Sequence, residues 1–183
     1  MKLKILYHGT DLESAKEICG GNIDVKKGSS HTDFGQGFYT TDDKDRAIRW
    51  AYRKAKVRKS KPALITLYFD EGSAHPIIEY FCDDLRWGQF IINNRNGSQY
   101  IRGVSFQENN LDARYEITYG RIADIEVTDI ASELKESGEM LYSLERILNK
   151  NYPLQIVFQK NVLSFSLRRD DYDYFRRKEK EIY

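Results

Sequence analysis

Residues 33–41 read Asp33-Phe34-Gly35-Gln36-Gly37-Phe38-Tyr39-Thr40-Thr41, and this stretch constrains the fold more than any other. Two glycines bracket one polar residue, so the backbone can turn sharply there without a Cβ in the way. Aromatic and β-branched residues follow at once, which suits a pleated surface and predicts a strand from Gly37 to Thr41. A second small-residue turn, His8-Gly9-Thr10, comes about 25 residues earlier, at the end of a strand predicted over Leu3 to His8. The chain therefore places two glycine-bearing turns against two early strands.

The rest of the pattern alternates between helix and strand. Asp11 or Thr10 can cap a short helix from Leu12 to Cys19, ended by Gly20-Gly21-Asn22. Asp42-Asp43 predicts the start of a helix through Asp45 to Lys56, with Ala47, Trp50, Ala51 and Lys54 on one side. Ala63 to Phe69 is the clearest strand, turned by Asp70-Glu71-Gly72-Ser73. Phe81 to Asn94 has helical spacing and ends in an Asn/Gly cluster. Strands are predicted over Tyr115–Gly120 and Leu154–Phe158, the latter continuing after a turn through Val162 to Leu167. Ile122 to Glu145 reads as helical mainly in its second half, with Ala131, Leu134, Met140, Leu141 and Leu144 as its apolar positions. This order predicts an α+β fold in one domain, residues 1–183, with residues 168–183 as a charged, aromatic tail that frays.

Composition narrows the function classes. The 29 basic and 28 acidic residues nearly cancel, so no global field draws the chain to nucleic acid or an anionic membrane. The basic run Arg53, Lys54, Lys56, Arg58, Lys59 and Lys61 reads as a solvated helix end. Cys19 and Cys82 lie far apart without a metal-ligand spacing, so no metal site is expected, and reduced thiols are. No apolar run reaches the roughly 18 residues of a membrane span. The expectation is a cytoplasmic protein, or an effector exported by a dedicated route, with no membrane partner.

Taken singly, His8, the glycine turn and Trp50 read as a structural histidine, a tight turn and a core aromatic. Their order carries more. Tyr7-His8-Gly9-Thr10, then Phe34-Gly35-Gln36-Gly37-Phe38-Tyr39, then a helix with Ala47 and Trp50, resembles the nicotinamide pocket of the ADP-ribosyltransferase superfamily, in its diphtheria-toxin-like and poly(ADP-ribose)-polymerase-like branch. The chain is most similar to a bacterial family of small ADP-ribosyltransferase-like domains with Y-H-G-[ST], D-F-G-x-G-F-Y-x-T and Q-I-V-F motifs. The resemblance covers about residues 5 to 167.

The resemblance implies a split, bent β-core with flanking helices, and NAD as a substrate. It implies that His8 bonds the ribose, that Gly9 holds the carboxamide, and that Thr10 lines the same strand end. Gly37 and Tyr39 would sit against the nicotinamide, with Trp50 as a second ring and Arg95 on a phosphate. The reaction expels nicotinamide from an oxocarbenium-like sugar, so positioning and a nearby negative charge carry it. The strand that bears a glutamate in active polymerases is matched by Gln155-Ile156-Val157-Phe158, with a neutral amide in that position. Glu116 is the alternative carboxylate, and Asp124 a weaker one. The implied activity is mono-ADP-ribosyl transfer to an unknown protein or nucleic-acid acceptor, toxin-like, with a neutralising partner protein. The alternative is a silent nucleotide or ADP-ribose binding module.

Overall fold

Asp11 closes the first strand and opens the first helix. Its carboxylate accepts the Ser14 amide at 3.2 Å and the Ser14 hydroxyl at 2.8 Å, as an N-cap should. The computed structural model describes residues 3–21, 23–70, 77–81, 84–95, 108–123, 127–137, 139, 142, 145, 146, 149, 152–160 and 167–174. The elements run β1 (Leu3–Asp11), α1 (Leu12–Cys19), a 3-10 turn (Val25–Lys27), β2 (Phe38–Thr41), α2 (Lys44–Arg58), β3 (Pro62–Asp70), β4 (Ile78–Tyr80), α3 (Leu85–Arg95), β5 (Ile117–Arg121), α4 (Val127–Ser137), β6 (Leu154–Phe158) and β7 (Leu167–Tyr174). The fold is α+β.

The chain divides into two compact units, each assembled from separate stretches. The first takes residues 1–23, 40–73 and 165–183. Its strands lie in the order β2-β1-β3-β7, and β1 pairs antiparallel with β3 from Leu3↔Asp70 to Asp11↔Pro62. Helix α2 lies on this sheet through a stripe of small residues, Ala47, Ala51 and Ala55, all buried. Alanine at i, i+4 and i+8 brings the helix backbone close to the strand beneath it, and Gly9 is where they meet. A Cβ on Gly9 would stand 1.8 Å from the Ala47 carbonyl oxygen and 2.9 Å from the Ala51 nitrogen. Asp43 caps α2 by accepting the Arg46 amide at 2.9 Å. Residues 168–174, expected to belong to a fraying tail, form most of β7 against β3.

The second unit takes residues 24–39 and 74–164, with strand order β4-β5-β6-β2. Strand β4 pairs parallel with β5, and β5 antiparallel with β6 from Ile117↔Phe158 to Arg121↔Leu154. Its core gathers Phe34, Phe81, Trp87, Phe90, Ile91, Ile130, Leu134 and Val157. Helix α3 begins at Leu85 rather than Phe81, because Asp84 caps it by accepting the Trp87 amide at 2.9 Å. The three-residue β4 was not expected. Helix α4 occupies the earlier part of the region predicted helical; Met140, Leu141 and Leu144, like Cys82, Asp124 and Val162, lie outside the described residues.

Candidate functional site

Residues 33–39 of the opening motif lie in the second unit, and several of them have an anchor of their own. Phe34 is fully buried, with ring centroids 6.0 Å from Phe81 and 5.9 Å from Phe90. Gly35 has φ +80°, a left-handed conformation that disfavours a side chain. The Gln36 amide donates to the Lys26 and Gly28 carbonyls, both at 2.8 Å. A Cβ on Gly37 would meet a Val157 methyl at 2.7 Å and the Phe158 carbonyl oxygen at 2.8 Å. These two glycines thus serve a turn packed against β6.

Tyr39 closes the turn on itself. Its hydroxyl accepts the Phe34 amide at 3.0 Å, donates to the Gly35 carbonyl at 2.7 Å and lies 2.8 Å from the Thr32 hydroxyl. Burial pushes this phenol well above its ordinary range, and the nearby Asp33 charge adds to that. Its ring packs against the core of the unit. Tyr39 is therefore first a strut for the turn.

The first residue of the motif makes the most telling contacts. Asp33 is buried, and its Oδ1 receives Arg95 through Nε at 2.7 Å and Nη2 at 2.5 Å. Its Oδ2 accepts the Gln155 amide at 3.1 Å and the Ala123 N–H at 3.4 Å. Its carbonyl accepts the fully buried Asn94 side chain at 3.2 Å, while Asn94 Oδ1 receives the Asn110 amide at 2.8 Å. A loop, the end of α3 and strand β6 thus converge on one carboxylate. Asp33 was not singled out from the sequence, because an aspartate before a glycine turn looks like any turn-former; its partner Gln155 is 122 residues away.

The two residues expected near the reacting sugar occupy different places. Gln155 pairs with Gly120 across β5 and β6, whereas Glu116 precedes β5 and lies level with Gln159, whose backbone N–H donates to the Glu116 carbonyl at 2.9 Å. Four residues of strand put about 13 Å between the two positions. The Glu116 carboxylate receives Lys160 at 3.2 Å and the Ile77 N–H at 3.1 Å, which ties the approach to β4 onto β5. Arg95, expected on a phosphate, holds Asp33, and its side chain is still 37% exposed.

In the first unit, Gly9 faces α2, so strand alternation turns His8 and Thr10 to the opposite side of β1. Thr10 is buried and His8 half-buried there. Trp50 was expected to share a side of its helix with Ala47 and Ala51. It stands on the flank of α2, 43% exposed, with the Arg53 guanidinium 5.4 Å from its ring centroid. The helix therefore separates Trp50 from His8 and Thr10, because the alanine stripe alone faces the sheet.

A family model described as a protein of unknown function, DUF3990, matches residues 4–165. The chain belongs to this family. No curated protein and no solved structure matches it. The family span includes the His8 strand, the Asp33 turn and the Gln155 strand. Among the described residues, no group of three or more His, Cys, Asp or Glu side chains is placed to hold a metal ion, and no helix is long and apolar enough to cross a membrane.

Proposed function

We propose that this chain binds NAD and transfers its ADP-ribose to a macromolecular acceptor, releasing nicotinamide. One observation carries the reading: the Gln155 amide, at the strand position where active relatives of the resembled superfamily carry glutamate, is bonded to the Asp33 carboxylate at 3.1 Å. The negative charge that β6 lacks is present beside it, supplied by the turn. In the reaction the bond from ribose C1′ to the nicotinamide nitrogen breaks, nicotinamide leaves with the electron pair, and the acceptor bonds to C1′ and loses a proton. A carboxylate near the sugar lowers the energy of the cationic transition state. Gln155 would bond a ribose hydroxyl, with its orientation fixed by Asp33. Arg95 spends Nε and Nη2 on Asp33, and its exposed edge retains donors for a diphosphate. In the first unit, His8 and Thr10 keep the roles that the resemblance implies, while Gly9, covered by α2, and Trp50 are dropped from the nicotinamide pocket.

A second reading has its own support. Arg95 partly neutralises Asp33, and both Asp33 and Gln155 are buried, which suits a module that binds a nucleotide without turning it over. Calorimetry with NAD, on wild type and His8→Ala, tests the binding common to both readings, and the affinity is expected to fall at least tenfold in the variant. Labelled NAD with cell lysate separates them: transfer that Asp33→Asn abolishes supports the enzyme, and NAD binding with no label transferred and no nicotinamide released supports the module. No heat at millimolar NAD overturns both.

A further inference from the structure

Helix α2 carries a charge imbalance that the whole chain hides. Between Lys44 and Lys61 lie nine of the 29 basic residues and one of the 28 acidic ones, so this segment carries +8 and the remainder of the chain −7. From the sequence the end of this run reads as a solvated helix terminus. The structure adds where the charges stand. With Ala47, Ala51 and Ala55 turned inward, helical geometry puts Arg49, Arg53 and Lys56 in a row along the outward side. All three are exposed, and among the described residues no carboxylate pairs with them. Trp50 and Tyr52, 43% and 40% exposed, stand on opposite flanks of this row.

A face that merely meets water is usually mixed in sign, as on α1, where Lys16 pairs with Glu13 at 3.1 Å. Like charges three and four residues apart, repeated along α2, weaken an isolated helix. An external anion removes that penalty. We propose that the outer face of α2 is a docking surface for a single-stranded nucleic acid, with Arg49, Arg53 and Lys56 on successive phosphates and the Trp50 and Tyr52 rings against unstacked bases. The row spans about 10 Å, the length of a few nucleotides. Duplex DNA or RNA would satisfy the cations and leave both rings idle, because its base faces are already stacked. An anionic membrane needs one continuous apolar side to enter, and here the rings are divided by the cationic row. The proposal stands apart from the NAD reading: it concerns a surface on the first unit and requires no nucleotide cofactor.

The chain reports on this surface itself. It has two tryptophans, of which Trp87 is fully buried and Trp50 is exposed. The full chain is titrated, without NAD, with twelve-nucleotide oligo-dT and oligo-rU, the matching duplexes, phosphatidylserine vesicles and poly-glutamate, while tryptophan emission is read at stepped salt. Single strands are expected to quench the exposed component, with log K falling against log salt at a slope of about −2 for three phosphate contacts. The preference between dT and rU tells which nucleic acid is favoured. The triple variant Arg49→Gln/Arg53→Gln/Lys56→Gln should flatten the slope toward zero, and Trp50→Ala, followed by the anisotropy of fluorescein-labelled oligo-dT because the reporting ring is gone, should keep the slope while binding weakens about tenfold. Duplex, vesicles or poly-glutamate quenching as strongly as single strands would overturn the proposal, as would an unchanged slope in the triple variant. Circular dichroism checks that the variants fold; should the triple variant not, Trp50→Ala decides alone, and an unchanged affinity in it would overturn the proposal.

Discussion

Removing one partner from the Asp33–Arg95 pair tests whether the arginine holds the buried carboxylate in place. Arg95→Ala leaves a carboxylate that is 5% exposed with only the Gln155 amide and a long bond from Ala123. Breaking a buried ion pair from one side costs about 3–5 kcal/mol. Because the arginine is partly exposed, water can reach the vacated side, and the expected cost is about 3 kcal/mol, at the lower end of that range. Asp33→Ala also strips the acceptor from the Gln155 amide and the Ala123 N–H, so its cost should lie toward the upper end, about 5 kcal/mol. In the double variant the stranded charge is gone while the two orphaned donors remain. It should therefore cost about as much as Asp33→Ala alone, a coupling of about 2–3 kcal/mol. For a chain of this size, 3 kcal/mol corresponds to a fall in Tm of about 6–12 °C. Urea unfolding followed by near-ultraviolet circular dichroism, on all four members of the cycle, measures this directly. Costs that add to within about 0.5 kcal/mol would refute the pairing, since sites that do not touch are additive.

Three other outcomes follow from the same contacts. Gly9→Ala drives a methyl into α2 backbone that cannot rotate aside, so it should cost about 3 kcal/mol or more, whereas Gly20→Ala, whose nearest contact would be 3.1 Å, should leave the melting temperature within about 2 °C. Gln155→Glu sets a second carboxylate against Asp33, and the two repel while both are ionised; the pH-dependent part of its destabilisation should be largest at neutral pH, shrink as pH falls toward 4, and disappear in Gln155→Glu/Asp33→Asn. Glu108 is pushed up by burial, but bonds from Arg86 at 3.1 and 3.0 Å and from the Tyr115 hydroxyl outweigh this and hold it below its ordinary 4.5. Its folded pKa lies under its unfolded one, so its stabilisation is present above about pH 4.5 and is lost as pH falls further. Tyr115, raised by burial and Glu108 to about 12, works in the other sense, stabilising below pH 10 and losing that contribution between 10 and 12. Chemical denaturation across pH should show both losses in wild type and neither in Glu108→Gln/Tyr115→Phe.

Local chemistry made much of the fold legible. Asp11 and Asp43 announce α1 and α2 because a carboxylate beside the first turn satisfies amides that the helix leaves open. The runs Ala63–Phe69 and Leu154–Phe158 declare strands through side-chain type alone. Both signals act over a few residues, so they survive without the rest of the chain.

What only the tertiary structure decided depends on residues far apart in sequence. Gly9 looks like a ligand-facing glycine until α2 is laid over it; Trp50 looks like core until the alanine stripe fixes the rotation of the helix. The carboxylate of the candidate site belongs to Asp33, and no periodicity could have joined it to Arg95 and Gln155, because burial creates that bond only once loop, helix and strand have met. Sequence by itself determined most of the helices and strands, but neither β4 nor most of β7; packing chose which of their polar residues share a site, since a buried charge must find its partner wherever the fold brings one.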